Sequence, residues 1–422
     1  MKLTELLSGI ENCSCGRTHP CPIKHVIIED GAIGRLSEIA DGYKNILIIA
    51  DNNTYRAAGE RVASALGDRV YDTLIFPDKL LVPNECAIEK INGRISEGCD
   101  LIVGIGSGVI SDLAKYTSYT HSLPYYIVAT APSMDGYASV GAALILGGMK
   151  VTENAHVPEA IIADTSVLRE APMDMIIAGY GDIIGKYSCL NDWQLAAIVR
   201  DEYICKTVLS ETFEAVERTR GAIKGILERC PEAIATLTEA LISVGILMAY
   251  VGNSRPASGS EHHLSHYFEI VGIERGERYL SHGLDVFYSS LVTAKIREEL
   301  AELFESEKEI LPAEFEGDYG EKIRRIYGRS AEGVLKLQEK LGFYSERGER
   351  VAIYSERRKE IARLLRKAPS YREVEEMLYE AGLSPKDFVK LYGEEKIRDG
   401  VLYSKDLKDR YTVLWAYTDI KR

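Results

Sequence analysis

The chain has 422 residues, a formal net charge of −13, 46% hydrophobic and 27% charged residues. That length exceeds what one hydrophobic core usually serves, so two domains are expected, with the composition of an ordinary globular protein. The acidic balance supplies no broad basic patch, which argues against nucleic-acid or anionic-membrane partners.

The opening stretch MKLTELLSGIENCSCG lacks the continuous apolar segment of a signal peptide. No run approaches the roughly 18 apolar residues of a membrane span, so a cytoplasmic protein is expected. Cys86, Cys99, Cys189, Cys205 and Cys230 are scattered, and a cytosolic chain of this size needs no disulfides. CSCGRTHPC (13–21) could form a small zinc knot from Cys13, Cys15, His19 and Cys21. Its C-x-C spacing departs from the usual pattern and no second ligand pair follows, so a plain N-terminal loop is expected.

Short apolar runs then alternate with amphipathic stretches. NILIIAD (45–51), VYDTLIF (70–76), DLIVGIGSG (100–108) and PYYIVATAP (124–132) read as strands. Segments 54–66, 84–98 and 109–122 carry helical spacing, and a hairpin is expected near 142–163 with its turn at residues 147–148. Strand–helix alternation predicts an α/β Rossmann-like domain with a parallel sheet over 1–170. Beyond that point helical periodicity dominates, including charge-rich amphipathic helices in the last 120 or so residues. An all-α C-terminal domain over 171–422, carrying metal and substrate groups, is expected.

GIGSGVISD (104–112) joins a buried strand to a helix, so Gly106 and Gly108 would let backbone N–H groups approach a pyrophosphate. The spacing is G-x-G-x-G, and the strand-ending acid Asp51 precedes the turn where the Rossmann fingerprint places its acid after it. Asp51 could still accept ribose hydroxyls. TAPSMDGYAS (130–139) follows the next strand and sets Thr130, Ser133, Asp135 and Ser139 in a short loop at the same sheet edge. Farther on, AGYGDIIGK places Asp182 after a glycine-containing turn at a helix start, where a capping role is the plain alternative. In SGSEHHLSHYFE, His262 and His266 share a helix face, His263 points elsewhere, and Glu261 precedes the pair, so the H-E-x-x-H motif is absent. LSHGLDV offers His282 at another helix start.

These segments, GIGSGVISDLAKY, PSMDGYAS, AGYGDIIGKYSCLNDW, SRPASGSEHHLSHYFE and SHG, resemble in order and spacing the sn-glycerol-1-phosphate dehydrogenases, particularly the bacterial type. That family lies within the dehydroquinate synthase-like and iron-containing alcohol dehydrogenase superfamily. The resemblance implies Asp182, His262 and His282 as ligands of one divalent metal, zinc, nickel or iron. It implies His266 and Asp135 as catalytic and substrate-side groups. It also implies dinucleotide contacts from Asp51, Gly106, Ser107, Gly108, Val109, Ile110, Ser111 and Asp112, and from Thr130, Ala131, Pro132, Ser133 and Ser139. The His262-to-His282 spacing is longer than in archaeal members, with GIERGERY as the insertion.

The implied reaction is reversible reduction of dihydroxyacetone phosphate to sn-glycerol 1-phosphate by NADH or NADPH. Arg255 and Lys186 are the candidate holders of the substrate phosphate, Asp182 and His266 also face the substrate, and a homo-oligomer is expected. The alternatives are a glycerol or other polyol dehydrogenase, or dehydroquinate synthase, on this fold. A catalytically idle nucleotide-binding regulator is the third.

Overall fold

A computed structural model describes residues 1–77, 81–147, 149–314 and 317–421. The chain divides into two compact units, Met1–Ile183 with Ser210–Ser254, and Ile184–Leu209 with Arg255–Arg422. The change of character expected at residue 170 falls just after the last strand, and the α/β unit also takes in helical stretches up to 183 and over 210–254.

The α/β unit holds a six-stranded parallel sheet. Its strands are β1 (His25–Glu29), β2 (Ile46–Asp51), β3 (Val70–Phe76), β4 (Leu101–Gly106), β5 (Tyr125–Ala129) and β8 (Ala160–Asp164), in the order β1-β8-β5-β4-β2-β3. The antiparallel ribbon β6 (Gly141–Leu146) and β7 (Met149–Asn154) is the expected hairpin. Its turn includes Gly147 at φ +59°, and Gly148 lies outside the described residues. One boundary needs correction, because 160–164 does not continue the hairpin but pairs in parallel with β1 and β5. All five of its residues are buried, which suits a strand covered on both faces better than a half-exposed ribbon.

Continuous apolar runs give the sheet its centre. Ile46 to Ala50 of β2 and Leu101 to Val103 of β4 are fully buried, as parallel strands sandwiched between helices require. From β2 the chain moves outward to β3, then crosses back to β4 and proceeds the other way to β5. The reversal leaves a crevice at the carboxyl ends of β2 and β4, the position where open α/β sheets bind ligands. Asp51 and Gly106 end those two strands.

The expectation that no run is long and apolar enough for a membrane does not hold by composition. Pro231–Val251 spans 21 residues with mean hydropathy 1.8. Its most apolar window is 78% buried within the protein, so it is a core helix.

The second unit is built from helices, including Lys186–Arg200, Ser260–Arg275 and His282–Glu305, followed by the amphipathic helices of the tail. Buried ion pairs tie it together. Asp192 accepts the Ser260 and Val413 N–H groups at 2.7 and 2.9 Å and faces Arg297 at 3.5 Å. Arg350 donates two hydrogen bonds to Asp419, at 2.7 and 2.8 Å.

Candidate active site

The β4 turn has the form expected of a phosphate cradle. Ser107 precedes the helix Gly108–Thr120 without capping it through its side chain; its hydroxyl instead meets that of Ser133 at 2.6 Å, joining the two candidate cofactor loops. A side chain at Gly106 would strike Ile110 at 2.5 Å, whereas the space beside Gly108 is open. The helix can therefore start close under the strand while its first N–H groups keep an open approach. Ile110 is buried packing, so only its backbone is available to a ligand; Val109, Ser111 and Asp112 complete the first turn. Burial pushes the Asp112 carboxyl up to about 6, against the pull of Lys115.

Lys115 was not singled out in the sequence, yet it organises the neighbouring loop. Fully buried, its ammonium donates to the Gly136 and Gly141 carbonyls and to the Ser139 hydroxyl at 2.7, 3.0 and 3.1 Å. Ser139 itself bonds to the carbonyls of Gly136 and Gly141, so its hydroxyl belongs to the loop framework. Thr130 N–H donates to the Gly106 carbonyl, and the Tyr137 hydroxyl to that of Ala131. At Asp51 the Oδ1 atom accepts the N–H groups of Asn53 and Thr54, so this acid caps the next helix at the end of β2.

Asp182 does not begin a helix. It lies near the end of Met173–Ile184, fully buried, and its Oδ2 accepts the Asp135 N–H at 3.0 Å. The PSMDG loop reaches the helix closely because residue 179 is glycine; a Cβ there would fall 1.8 Å from the Pro132 carbonyl oxygen. Asp135 and Asp182 are thereby brought together within the α/β unit.

In the helical unit, Ser260–Arg275 and the start of His282–Glu305 gather three histidines. Ring centroids stand 4.9 Å apart for His262 and His282, 5.5 Å for His266 and His282, and 6.3 Å for His262 and His266. The ligand nitrogens of His262 and His282 lie within 4.8 Å of each other. Glu261, also passed over in the sequence, sets the first ring. Its fully buried carboxylate meets His262 Nδ1 at 2.6 Å and accepts the Gly259 N–H at 2.9 Å. Burial alone would raise this carboxyl, but the His262 ring and the Gly259 N–H hold it below its ordinary value. A carboxylate only accepts, so Nδ1 carries the proton and Nε2 keeps its lone pair for a ligand, the usual carboxylate–histidine–metal arrangement. Glu261→Ala is accordingly expected to weaken metal binding by about 10- to 100-fold, measured by competition with a chelator.

His263 is buried on the other side of the helix, and neither ring nitrogen has a hydrogen-bond partner among the described residues. Burial, then the charges of Lys408, Arg410 and Arg255, hold its pKa well below the ordinary value. These cations converge on the loop before the helix. Arg410 donates to the Ser258 carbonyl at 2.7 Å, and Lys408 lies 3.4 Å from the Ser258 hydroxyl. Burial and the neighbouring Arg255 pull Arg410 down to about 10. Arg255 itself is buried and forked onto Glu202 at 2.6 Å through both Nε and Nη2, with Nη2 also bonded to the Tyr411 carbonyl at 2.7 Å. Lys186 is fully buried in the first turn of Lys186–Arg200. Lys408 and Arg410 stand some 150 positions from the loop they approach, and only their KDLKDR setting marked them as charged.

Residues 27–172 match the family model described as iron-containing alcohol dehydrogenase. A curated glycerol-1-phosphate dehydrogenase [NAD(P)+] of Geobacillus stearothermophilus is 34% identical over 296 residues, covering 68% of this chain and 73% of that one. One from Bacillus licheniformis is 31% identical and covers 80% of this chain and 90% of its own. The chain belongs to the glycerol-1-phosphate dehydrogenase family. A crystal structure of glycerol dehydrogenase from Schizosaccharomyces pombe shares the fold, with a TM-score of 0.56 at 18% identity over 85% of this chain and 92% of that one. Membership puts the chain within an NAD(P)-dependent, metal-containing class of oxidoreductases.

Proposed function

We propose that the protein reversibly reduces dihydroxyacetone phosphate to sn-glycerol 1-phosphate with NADH or NADPH. The observation that carries this reading is the His262–His282 pair with Glu261 behind it, in a chain whose relatives at 30% identity or more bear that activity in their names. Within the helical unit His262 and His282 form a donor pair suited to one catalytic divalent metal, and the family resemblance assigns Asp182 to the same ion. Asp/His/His accommodates zinc, nickel or iron.

The bound groups supply what side chains lack, a hydride from NAD(P)H and a Lewis acid that polarises the substrate carbonyl. The rest falls to the chain. Asp135 steadies the Asp182 carboxylate through its N–H, and faces the substrate. His266 stands beside the ligand pair without joining it and holds the proton that completes the alcohol, a task for which imidazoles are commonly used. Gly106 to Asp112 and Thr130 to Ser133 receive the dinucleotide, with Asp51 at the ribose end, where its charge disfavours a 2′-phosphate. Ser139 supports this loop from within.

The substrate phosphate is held by Arg255 and Lys186 with Lys408 and Arg410, of which Arg255, Lys408 and Arg410 concentrate positive charge that an anion relieves. The discriminating assay follows NADH oxidation with dihydroxyacetone phosphate against dihydroxyacetone, with glycerol run in the reverse direction. Preference for the unphosphorylated substrates would make this a polyol dehydrogenase. Arg410→Ala and Arg255→Ala should each raise the apparent KM for dihydroxyacetone phosphate about tenfold or more. An unchanged KM in both variants would remove the phosphate assignment. Among the described residues no disulfide joins the cysteines, in keeping with a reducing cytoplasm, where the protein would act as a homo-oligomer.

A further inference from the structure

Of the two histidines assigned to the metal, His282 is the one whose place the local sequence does not secure. The helix Ser260–Arg275 ends at Gly276, with φ +65°, and residues 277–281 run without regular structure before His282 opens the next helix. A side chain on the first residue of a helix goes where the preceding connection puts it. Whatever holds residues 277–281 therefore also aims His282.

The tail helix Pro385–Tyr403 holds that connection. Tyr392 Oη accepts the Leu280 N–H at 3.0 Å and donates to Asp285 Oδ1 at 2.7 Å. Leu280 stands two residues before His282 and Asp285 three after it, so one phenol ties both sides of the ligand. Asp285 is buried in the first turn of His282–Glu305, and its own N–H bonds to the Ser281 carbonyl at 3.0 Å. Burial, then the Asp285 charge, push the phenol well above its ordinary pKa, so it stays protonated and donates. On the same helix, Lys396 pairs with Glu277 at 2.8 Å, at the other end of the connection.

The hydroxyl is fixed because the ring is. Tyr392 is buried and stacks on Phe268 of the histidine helix, with centroids 4.1 Å apart and planes 18° from parallel, while Phe388 packs edge-on at 5.1 Å. Gly393 takes φ +72° and ψ 156°, a backbone that only glycine adopts readily, and breaks the tail helix directly after the tyrosine. At the ligand itself, buried Ser265 places its hydroxyl 3.3 Å from both His282 Nδ1 and the His282 carbonyl oxygen. That hydroxyl donates to the carbonyl and accepts from Nδ1–H, which leaves Nε2 for the metal.

We propose that Tyr392 is a positioning residue of the metal centre: bonded to Leu280 and Asp285 on either side of His282, it holds that histidine within ligand distance of His262. The proposal rests on the reading of His262 and His282 as ligands of one ion. In this role Tyr392 touches neither metal nor substrate, and acts through the orientation of a ligand, on which metal affinity depends. The tail thereby serves the metal centre from 107 positions beyond Asp285.

The test uses the full-length protein. Tyr392→Phe keeps the ring and its stacking but loses both hydrogen bonds. Competition with a chelator should find its metal bound about 10- to 100-fold more weakly than in wild type. Tyr327→Phe is the control, since it also removes a buried phenol bond, made at 2.9 Å to the Tyr403 carbonyl and not to the connection. Its metal affinity should match wild type. Loaded with Co²⁺, Tyr392→Phe should show an altered d–d spectrum and Tyr327→Phe that of wild type. At limiting metal Tyr392→Phe should lose turnover with the KM for dihydroxyacetone phosphate unchanged, and excess metal should restore it. Wild-type affinity and cobalt spectrum in Tyr392→Phe, or an equal loss in Tyr327→Phe, overturns the positioning role. Failure of the ligand reading would show differently, as full metal retention in His282→Ala. Should Tyr392→Phe fail to fold, hydrogen exchange in the wild type decides. By linkage, the Leu280 amide should exchange more slowly with metal bound than after chelation, and an equal rate overturns the proposal.

Discussion

His262→Ala should purify without its catalytic metal and lose turnover by about 10³-fold or more, the loss of several kcal/mol of transition-state stabilisation. The side chain is buried, its Nδ1 is committed to Glu261, and only Nε2 remains for a ligand. His266→Ala is the informative contrast. That ring lies one turn along the same helix face, with its centroid 5.5 Å from His282, and is assigned to the proton. The variant should keep its metal and lose about 10²- to 10⁴-fold in kcat. Metal content and kcat measured on both variants separate the roles; loss of metal from His266→Ala would show that the helix offers a different ligand pair.

The largest expected effect on stability lies beneath that helix. Asp192→Ala removes the acceptor of two buried backbone N–H groups, Ser260 at the start of the histidine helix and Val413 in the tail. It also strands Arg297, which is buried and otherwise bonded to the Ser188 and Ser260 hydroxyls, the Thr293 hydroxyl and the Ser188 carbonyl. Breaking a buried pair from one side costs about 3–5 kcal/mol. Denaturant unfolding should register that loss, while Asp192→Asn, which still accepts one N–H bond, should lose less. An Asp192→Ala midpoint within error of wild type would show that the charge is not buried in solution as it is here.

Local pattern made much of this legible. The runs at 45–51, 70–76, 100–108 and 124–132 are β2 to β5; β2 up to Ala50, β4 and β5 are apolar throughout because they are buried on both faces, whereas β3 at the sheet edge keeps Tyr71 exposed. His262, His266 and His282 fall on the helices expected from spacing, and the loop 130–139 lies at the same sheet edge as the β4 turn. Other expectations failed where pairing decides the outcome. Residues 160–164 look like the second arm of a ribbon until β1 and β5 are seen flanking them. Asp182 looks like a cap because GYG suggests a turn, yet the helix runs through both glycines, and Gly179 serves the close approach of Pro132.

By itself, the sequence determined the α/β sheet, the helical remainder, the glycine-rich turn after β4 and the family, since periodicity and short motifs are local properties of a chain. Tertiary structure decided which side chains serve one another. Glu261 became the support of His262, Lys115 the anchor of the 130–141 loop, and Lys408 and Arg410 the neighbours of Ser258. CSCGRTHPC shows the difference most clearly. Three thiols and an imidazole were visible in nine residues, but the carbonyl that orients His19 belongs to Tyr250. A metal site needs donors close in space, and folding closes distances that sequence spacing does not encode.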